Sequence, residues 1–185
     1  VAKGKTPAEQ PLLMDVSWNK INRAMPYVGW LNSASGKVNL VLTSKQQNIN
    51  LNTELTQHEK SSLPGGHYLA QLSIKDNNLN VPSFSLQTGK GSVSGQAYVE
   101  LPTEKRQLKW NALLNAKNFN PQTVAAAAPV NLLNGNIKAH GYSQPNLQMI
   151  QFESIDLTGQ LANQAKAESV RLTGQSNVGL LFNDA

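Results

Sequence analysis

Gly91-Ser92-Val93-Ser94-Gly95-Gln96-Ala97-Tyr98-Val99-Glu100-Leu101 is followed, after a short polar link, by Leu108-Lys109-Trp110-Asn111-Ala112-Leu113-Leu114-Asn115. Val93, Ala97, Val99 and Leu101 alternate with Ser92, Ser94, Gln96, Tyr98 and Glu100, and Leu108, Trp110, Ala112 and Leu114 alternate with Lys109, Asn111 and Asn115. A repeat of two is the period of a strand with one apolar side, because successive side chains point to opposite faces of a pleated backbone. The same pattern runs outward in both directions. Val38, Leu40 and Leu42 alternate with Lys37, Asn39 and Val41; Ile49, Leu51 and Leu55 with Asn48, Asn50, Asn52 and Glu54; Tyr68, Ala70, Leu72 and Ile74 with Gln71, Ser73 and Lys75. Pro64-Gly65-Gly66, Asp76-Asn77-Asn78 and Gly89-Lys90-Gly91 separate the runs with residues that tolerate positive φ. Strand follows strand through short turns, so the expected fold class is mainly β and mainly antiparallel.

Two stretches depart from that pattern. Ser17 to Leu31 carries Trp18, Ile21, Met25, Val28 and Trp30 at spacings nearer three to four, and Gln122 to Ala128 contains four consecutive alanines. Both are expected to form short helices.

Charge and composition narrow the function classes. The 185 residues hold 16 Lys and Arg against 11 Asp and Glu, a net charge of +5, while 21 Asn and 15 Gln outnumber all charged side chains together. The surface is therefore polar without being strongly charged. Lys and Arg never form a block longer than Lys105-Arg106, which is no footprint for nucleic acid. The longest apolar stretch, Val124 to Val130, is mostly alanine and far short of the roughly 18 to 20 residues of a membrane-spanning helix. With no cysteine there is neither a disulfide nor a thiolate site. Val1 stands where an initiator Met would, so the chain reads as a piece of a longer protein, residues 1–185 forming a single β-rich segment.

No catalytic constellation emerges, and the protein is not expected to be an enzyme. His58, His67 and His140 lie apart in sequence without a partner pattern, and no spacing of His, Asp or Glu suits a metal. Gly89-Lys90-Gly91-Ser92 lacks the first glycine of a phosphate loop, since position 84 is Phe84. Gly91-Ser92-Val93-Ser94-Gly95 has Val93 where a nucleophile elbow needs serine. No cofactor is implied.

Repetition is more informative than any lone motif. Val93-Ser94-Gly95-Gln96-Ala97, Leu133-Asn134-Gly135-Asn136-Ile137, Leu157-Thr158-Gly159-Gln160-Leu161 and Leu172-Thr173-Gly174-Gln175 share apolar, polar, Gly, polar, and Ala34-Ser35-Gly36-Lys37-Val38 is a weaker copy. By alternation each glycine lies on the apolar side, where it leaves either a notch for a neighbour or ligand or a bend in the strand. Matching Ile21-Asn22 to Phe119-Asn120 brings Gly36-Lys37-Val38 within one residue of Gly135-Asn136-Ile137, suggesting repeat units 12–110 and 110–185, the second incomplete.

The succession of a strand, Asn118-Phe119-Asn120-Pro121, an Ala-rich stretch, Leu132-Leu133-Asn134-Gly135-Asn136-Ile137 and Leu157-Thr158-Gly159-Gln160-Leu161 resembles the repeating units of the AsmA-like superfamily. It is most similar to the periplasmic repeat region of the TamB (translocation and assembly module subunit) family. The resemblance implies a long antiparallel sheet curved lengthwise into a trough with an apolar inner face. It also implies a place in the periplasm, within a protein anchored in the inner membrane of a Gram-negative bacterium. The implied partners are phospholipid or other acyl chains, neighbouring repeats of the same chain and a TamA-like outer-membrane barrel protein; the implied roles are lipid transport and outer-membrane protein assembly. The lipid-lining residues would be those on the apolar side by alternation: Val38, Leu40, Leu42, Leu72, Ile74, Val93, Ala97, Val99, Trp110, Ala112, Leu157 and Leu161. The alternation suits equally a closed β-sandwich, a binding or adhesin-like module whose apolar side is its core, although Gly95, Ala97, Ala112, Gly135, Ala139, Gly159 and Gly174 make that side thin.

Overall fold

The computed structural model describes residues 10–25, 29–56, 63–104, 106–124, 127–144, 147–161 and 168–181. Ten strands follow one another: β1 (Leu12–Met25), β2 (Gly29–Leu42), β3 (Gln46–Leu55), β4 (Gly66–Lys75), β5 (Asn78–Thr88), β6 (Gly91–Glu100), β7 (Leu108–Phe119), β8 (Val130–Gln144), β9 (Leu147–Leu161) and β10 (Ser169–Leu181). They form a single antiparallel sheet whose spatial order is the chain order, so β1 and β10 are its edges. Asp76 and Asn77, both at positive φ, make the tight turn between β4 and β5, and Gly89 at φ 56° opens the turn between β5 and β6. The turn chemistry expected from the sequence is present at both places.

The register aligns the alternation of all ten strands. One row runs Val16, Val38, Leu51, Ala70, Phe84, Gly95, Leu114, Ile137, Ile155, Gly174, each residue opposite the next across a strand pair. Three parallel rows flank it on the same side, from Trp18 to Leu172, from Met14 to Ser176 and from Leu12 to Val178, and no position in any of the four rows is charged. Directly opposed side chains share a face, so the sheet has one continuous uncharged face.

That face is not closed by a second layer. Extensive contacts join only strands that are sheet neighbours. The accessible surface is 13036 Å² for 20.1 kDa, against about 8,700 Å² for a compact monomer of that mass. Among the described hydrophobic residues only Leu55, Phe119 and Ala139 are buried. The closed β-sandwich is therefore corrected to an open single-layer sheet: among the described residues no facing sheet buries the apolar rows.

Neither expected helix is an α-helix among the described residues. The described part of Ser17 to Leu31 is strand. Trp18 and Ile21 are three apart because Lys20, at φ 63°, and Ala34 opposite it both drop out of the pairing, an extra residue in each strand. Trp18, opposite Gly36, and Ile21, opposite Ser33, thereby stay on the apolar side, since Ser33 and Gly36 face Leu55 and Thr53 in turn. The Ala-rich stretch yields only a 3₁₀ turn, Pro121–Thr123, capped by Asn120, whose Oδ1 accepts from the Gln122 N–H at 3.0 Å. Residues 125 and 126 lie outside the described ones, and Pro129 closes the stretch.

The same phase slip recurs. Val81 and Phe84 are both on the apolar face because β5 carries an extra residue around Pro82, a proline that cannot donate to a ladder and is accommodated in a bulge. Asn118, at φ 48°, does the same between Ala116 and Phe119, and Glu153 between Phe152 and Ile155.

Without a second layer, cohesion within the apolar face comes from cross-strand pairs, three of which set an aromatic ring over a glycine. Trp18 lies across Gly36, its ring occupying the space a Cβ would need; Phe84 across Gly95 and Trp110 across Gly141 come within 3.0 and 2.8 Å of that position, which the Leu113 and Met149 carbonyl oxygens approach more closely still. Gly36→Val would evict the Trp18 ring. It is expected to lower stability by about 1–3 kcal/mol and shift indole emission to the red, read from urea unfolding followed by fluorescence. An unchanged midpoint and emission maximum would mean that the ring does not hold β1 to β2.

Candidate functional site

Eleven of the twelve residues expected to line an apolar path lie in the four uncharged rows, and Leu161 continues the same side of β9 beyond Leu157 and Gly159. All twelve are half-buried. Their shelter comes from sheet neighbours alone, and it thins toward the edges, where Leu12 is 57% and Leu172 59% exposed. Phe84, Leu114, Ile137, Phe152 and Ile155 belong to the same face and were not among the expected lining. For Phe84, Phe152 and Ile155 the signal was present as a pair of apolar residues three apart within an alternating run, which in this chain marks a bulge.

The glycine notches have different fates. At Gly36 the notch is filled by the Trp18 ring, at Gly95 by the Leu113 carbonyl with the Phe84 ring beside it, and at Gly159 a Cβ would lie 3.0 Å from the Leu132 carbonyl oxygen and 3.3 Å from Val130 Cγ1. Gly135, at φ 124°, lies against the Asp156 carbonyl, whereas nothing lies within 4 Å of the space beside Gly174. Packing accounts for all but the last. Trp110 packs against Gly141, and Trp18 donates from Nε1 to Ser33 Oγ at 2.8 Å. The Trp30 side chain lies outside the described residues. Ser33 is the most buried polar residue described; its hydroxyl also meets Thr53 Oγ1 at 2.9 Å, so a compact hydrogen-bonded knot pins β1, β2 and β3 at the bulge.

Polar groups on the opposite face pair locally. His140 Nδ1 lies 2.9 Å from Glu153 Oε1, and Lys138 bonds the other carboxylate oxygen. Hydrogen bonds from Lys138 and His140 hold the Glu153 carboxyl below its ordinary range. His67 Nε2 lies 2.7 Å from Asn52 Oδ1. These two histidines therefore have partners that their isolation in sequence did not disclose, and His58 lies outside the described residues. Among the described residues no group of His, Asp and Glu could hold a metal ion, and no helix is long and apolar enough to cross a membrane.

This polar face is also concave. A groove of about 770 Å³ crosses β2 to β7 and is lined by Asn50, Asn52, Gln71, Ser85, Gln96 and Asn115 among others. Its presence on the amide side follows from twist, which makes any broad sheet saddle-shaped and hollow along one diagonal of each face.

Compared with known proteins, the chain matches no protein-family model, no curated protein and no solved structure.

Tyr68 is the one ionisable group of the apolar face described with a shifted pKa. Burial pushes its phenol from 10.0 to about 12, and its hydroxyl donates to the Pro64 carbonyl at 2.6 Å. The raised folded-state pKa means that this contribution to stability is complete below the unfolded value near 10 and is lost as pH rises toward 12. Unfolding midpoints should fall across that window in the native chain and fall less in Tyr68→Phe, with one tyrosinate absorbance step displaced upward. A native chain whose four tyrosines all titrate near the ordinary value would contradict the packing assigned to Tyr68.

Proposed function

We propose that this chain is a segment of an open β-sheet bridge whose uncharged face shelters acyl chains, in the manner of the AsmA-like and TamB proteins it resembles. The observation that carries the reading is a face four residues deep on each of ten strands, without a charged position and without a covering layer. A soluble domain seldom leaves so broad an apolar surface open unless something else covers it. Each acyl methylene sheltered there gains about 0.8 kcal/mol, so binding needs no polar recognition and discriminates head groups weakly.

In this reading the sheet bends lengthwise toward its apolar side, and phospholipid moves along the rows between inner and outer membrane. The segment works in the periplasm of a Gram-negative bacterium as part of an inner-membrane-anchored protein, without catalysing a reaction. The open edges of β1 and β10, where Met14, Val16 and Val170 are exposed, receive strands of neighbouring repeats, and the bridge meets a TamA-like barrel that also links it to outer-membrane protein assembly.

The test places a photo-crosslinking amino acid at position 97 or at position 96, one residue apart on opposite faces, in chain incubated with phospholipid vesicles. Lipid adducts are expected at 97 and not at 96. Ala112→Arg, which sets a charge costing several kcal/mol in the lining, should abolish the adduct at 97, whereas Asn111→Arg should spare it. Equal labelling at both positions, or none at either, would remove the lipid reading.

A further inference from the structure

The polar face holds a second concave surface. The floor of the 770 Å³ groove is the backbone around Leu51, Ala70, Phe84 and Gly95, whose side chains belong to the apolar face. Two rows of side chains border it across the strands. One runs Asn52, Leu69, Ser85, Ser94, Asn115, and the other contains Asn50, Gln71 and Ser83, then Gln96 beside Leu113. None of the lining residues is ionisable, although the chain as a whole carries +5.

The chemistry of the lining selects its occupant. Amides and hydroxyls each donate and accept, which matches ligands whose groups also do both. A phosphate or carboxylate would find no cation among the lining residues: Lys37 stands opposite Asn52 only at the β2 end, and Lys138, opposite Leu113 at the other end, is already paired with Glu153. An apolar chain would strip water from the amides without replacing their hydrogen bonds. Asn50, Gln96 and Asn115 have no side-chain hydrogen bond to another described residue, so their amides are available. Leu69, 42% exposed, and Leu113 add apolar side chains against which the C–H face of a sugar ring can pack. The groove runs across six strands set about 4.8 Å apart, a repeat comparable to one ring of an extended glycan.

We propose that this groove binds a neutral, extended, β-linked glycan lying across the strands, about one sugar to each strand spacing. The site is independent of the acyl-chain face: it uses the opposite side chains, and either site can exist without the other.

The experiment is a titration of the isotopically labelled chain with two probes, cellohexaose and its N-acetylated counterpart chitohexaose, following Asn and Gln side-chain amide resonances. Shifts are expected at Asn50, Asn52, Gln71, Gln96 and Asn115. The double variant Gln71→Ala/Asn115→Ala should weaken binding about tenfold, whereas Asn177→Ala, on the same face near the β10 edge, should leave it unchanged. An unaltered circular dichroism spectrum establishes that the variants fold, and smaller shifts in the single variants Gln71→Ala and Asn115→Ala give a second reading if the double variant does not. No amide shift with either sugar at millimolar concentration overturns the proposal, as does unweakened binding in the folded double variant or binding of an extended Ser/Asn-rich peptide in place of the sugars. Lipid crosslinking at position 97 is unaffected by any of these outcomes.

Discussion

Hydrogen-bonded pairing between sequence neighbours is the constraint on which everything else in this molecule rests. A protein with a core can tolerate a poor strand pair, because side chains from a facing layer hold the strand in place. Here there is no facing layer, so each strand is kept by its two neighbours and the edge strands by one. Cross-strand side-chain pairs must supply what a core would, and their usual worth is only about 0.2–1 kcal/mol each. Trp18, Phe84 and Trp110 serve that end by each packing across the strand boundary against a glycine of the neighbouring strand. It also explains the polar knot of Trp18, Ser33 and Thr53, which ties the edge strand β1 through β2 to β3.

The separation of chemistry between the faces survives five interruptions of register only because each extra residue is placed where it preserves sidedness. In β1 and β2 the extra residues Lys20 and Ala34 oppose one another, so both strands change phase together. In β5 the extra residue shifts Phe84 back to the face held by Leu79 and Val81, and in β9 one at Glu153 returns Ile155 to the side of Ile150 and Phe152. Asn118 in β7 and Asn131 in β8 lie near the same end of the sheet, where β7 leaves the ladder for the 3₁₀ turn and β8 begins. Bulges increase twist and bend the strands that carry them, so they also govern how the faces become hollow.

Much of this was legible from the residues. Strict alternation marked Val38 to Leu42, Tyr68 to Ile74 and Val93 to Leu114 as strands and placed their apolar side correctly, because period two has no helical imitation over such lengths. Trp18 and Ile21 imitate a helical pattern because one extra residue turns a spacing of two into three, which is also a helical spacing. The alanines after Gln122 carried high helix propensity, yet Pro121 and Pro129 bracket too few residues for an α-helix to repay its nucleation. The amide groove was not visible in the sequence at all. Its walls come from six strands, and only the register brings Asn52, Ser94 and Asn115 into one line.

The central claim is that the apolar face is open in the isolated chain, and the lack of cysteine makes it directly measurable. A single thiol would be introduced as Ala112→Cys on that face or as Asn111→Cys on the other, and its reaction with a maleimide followed with and without phospholipid vesicles. If the face is open, both thiols react in the folded chain, and vesicles slow Cys labelling at 112 while leaving 111 unchanged. A thiol at 112 that reacts only after unfolding, beside one at 111 that reacts freely, would mean a closed core and would contradict the account.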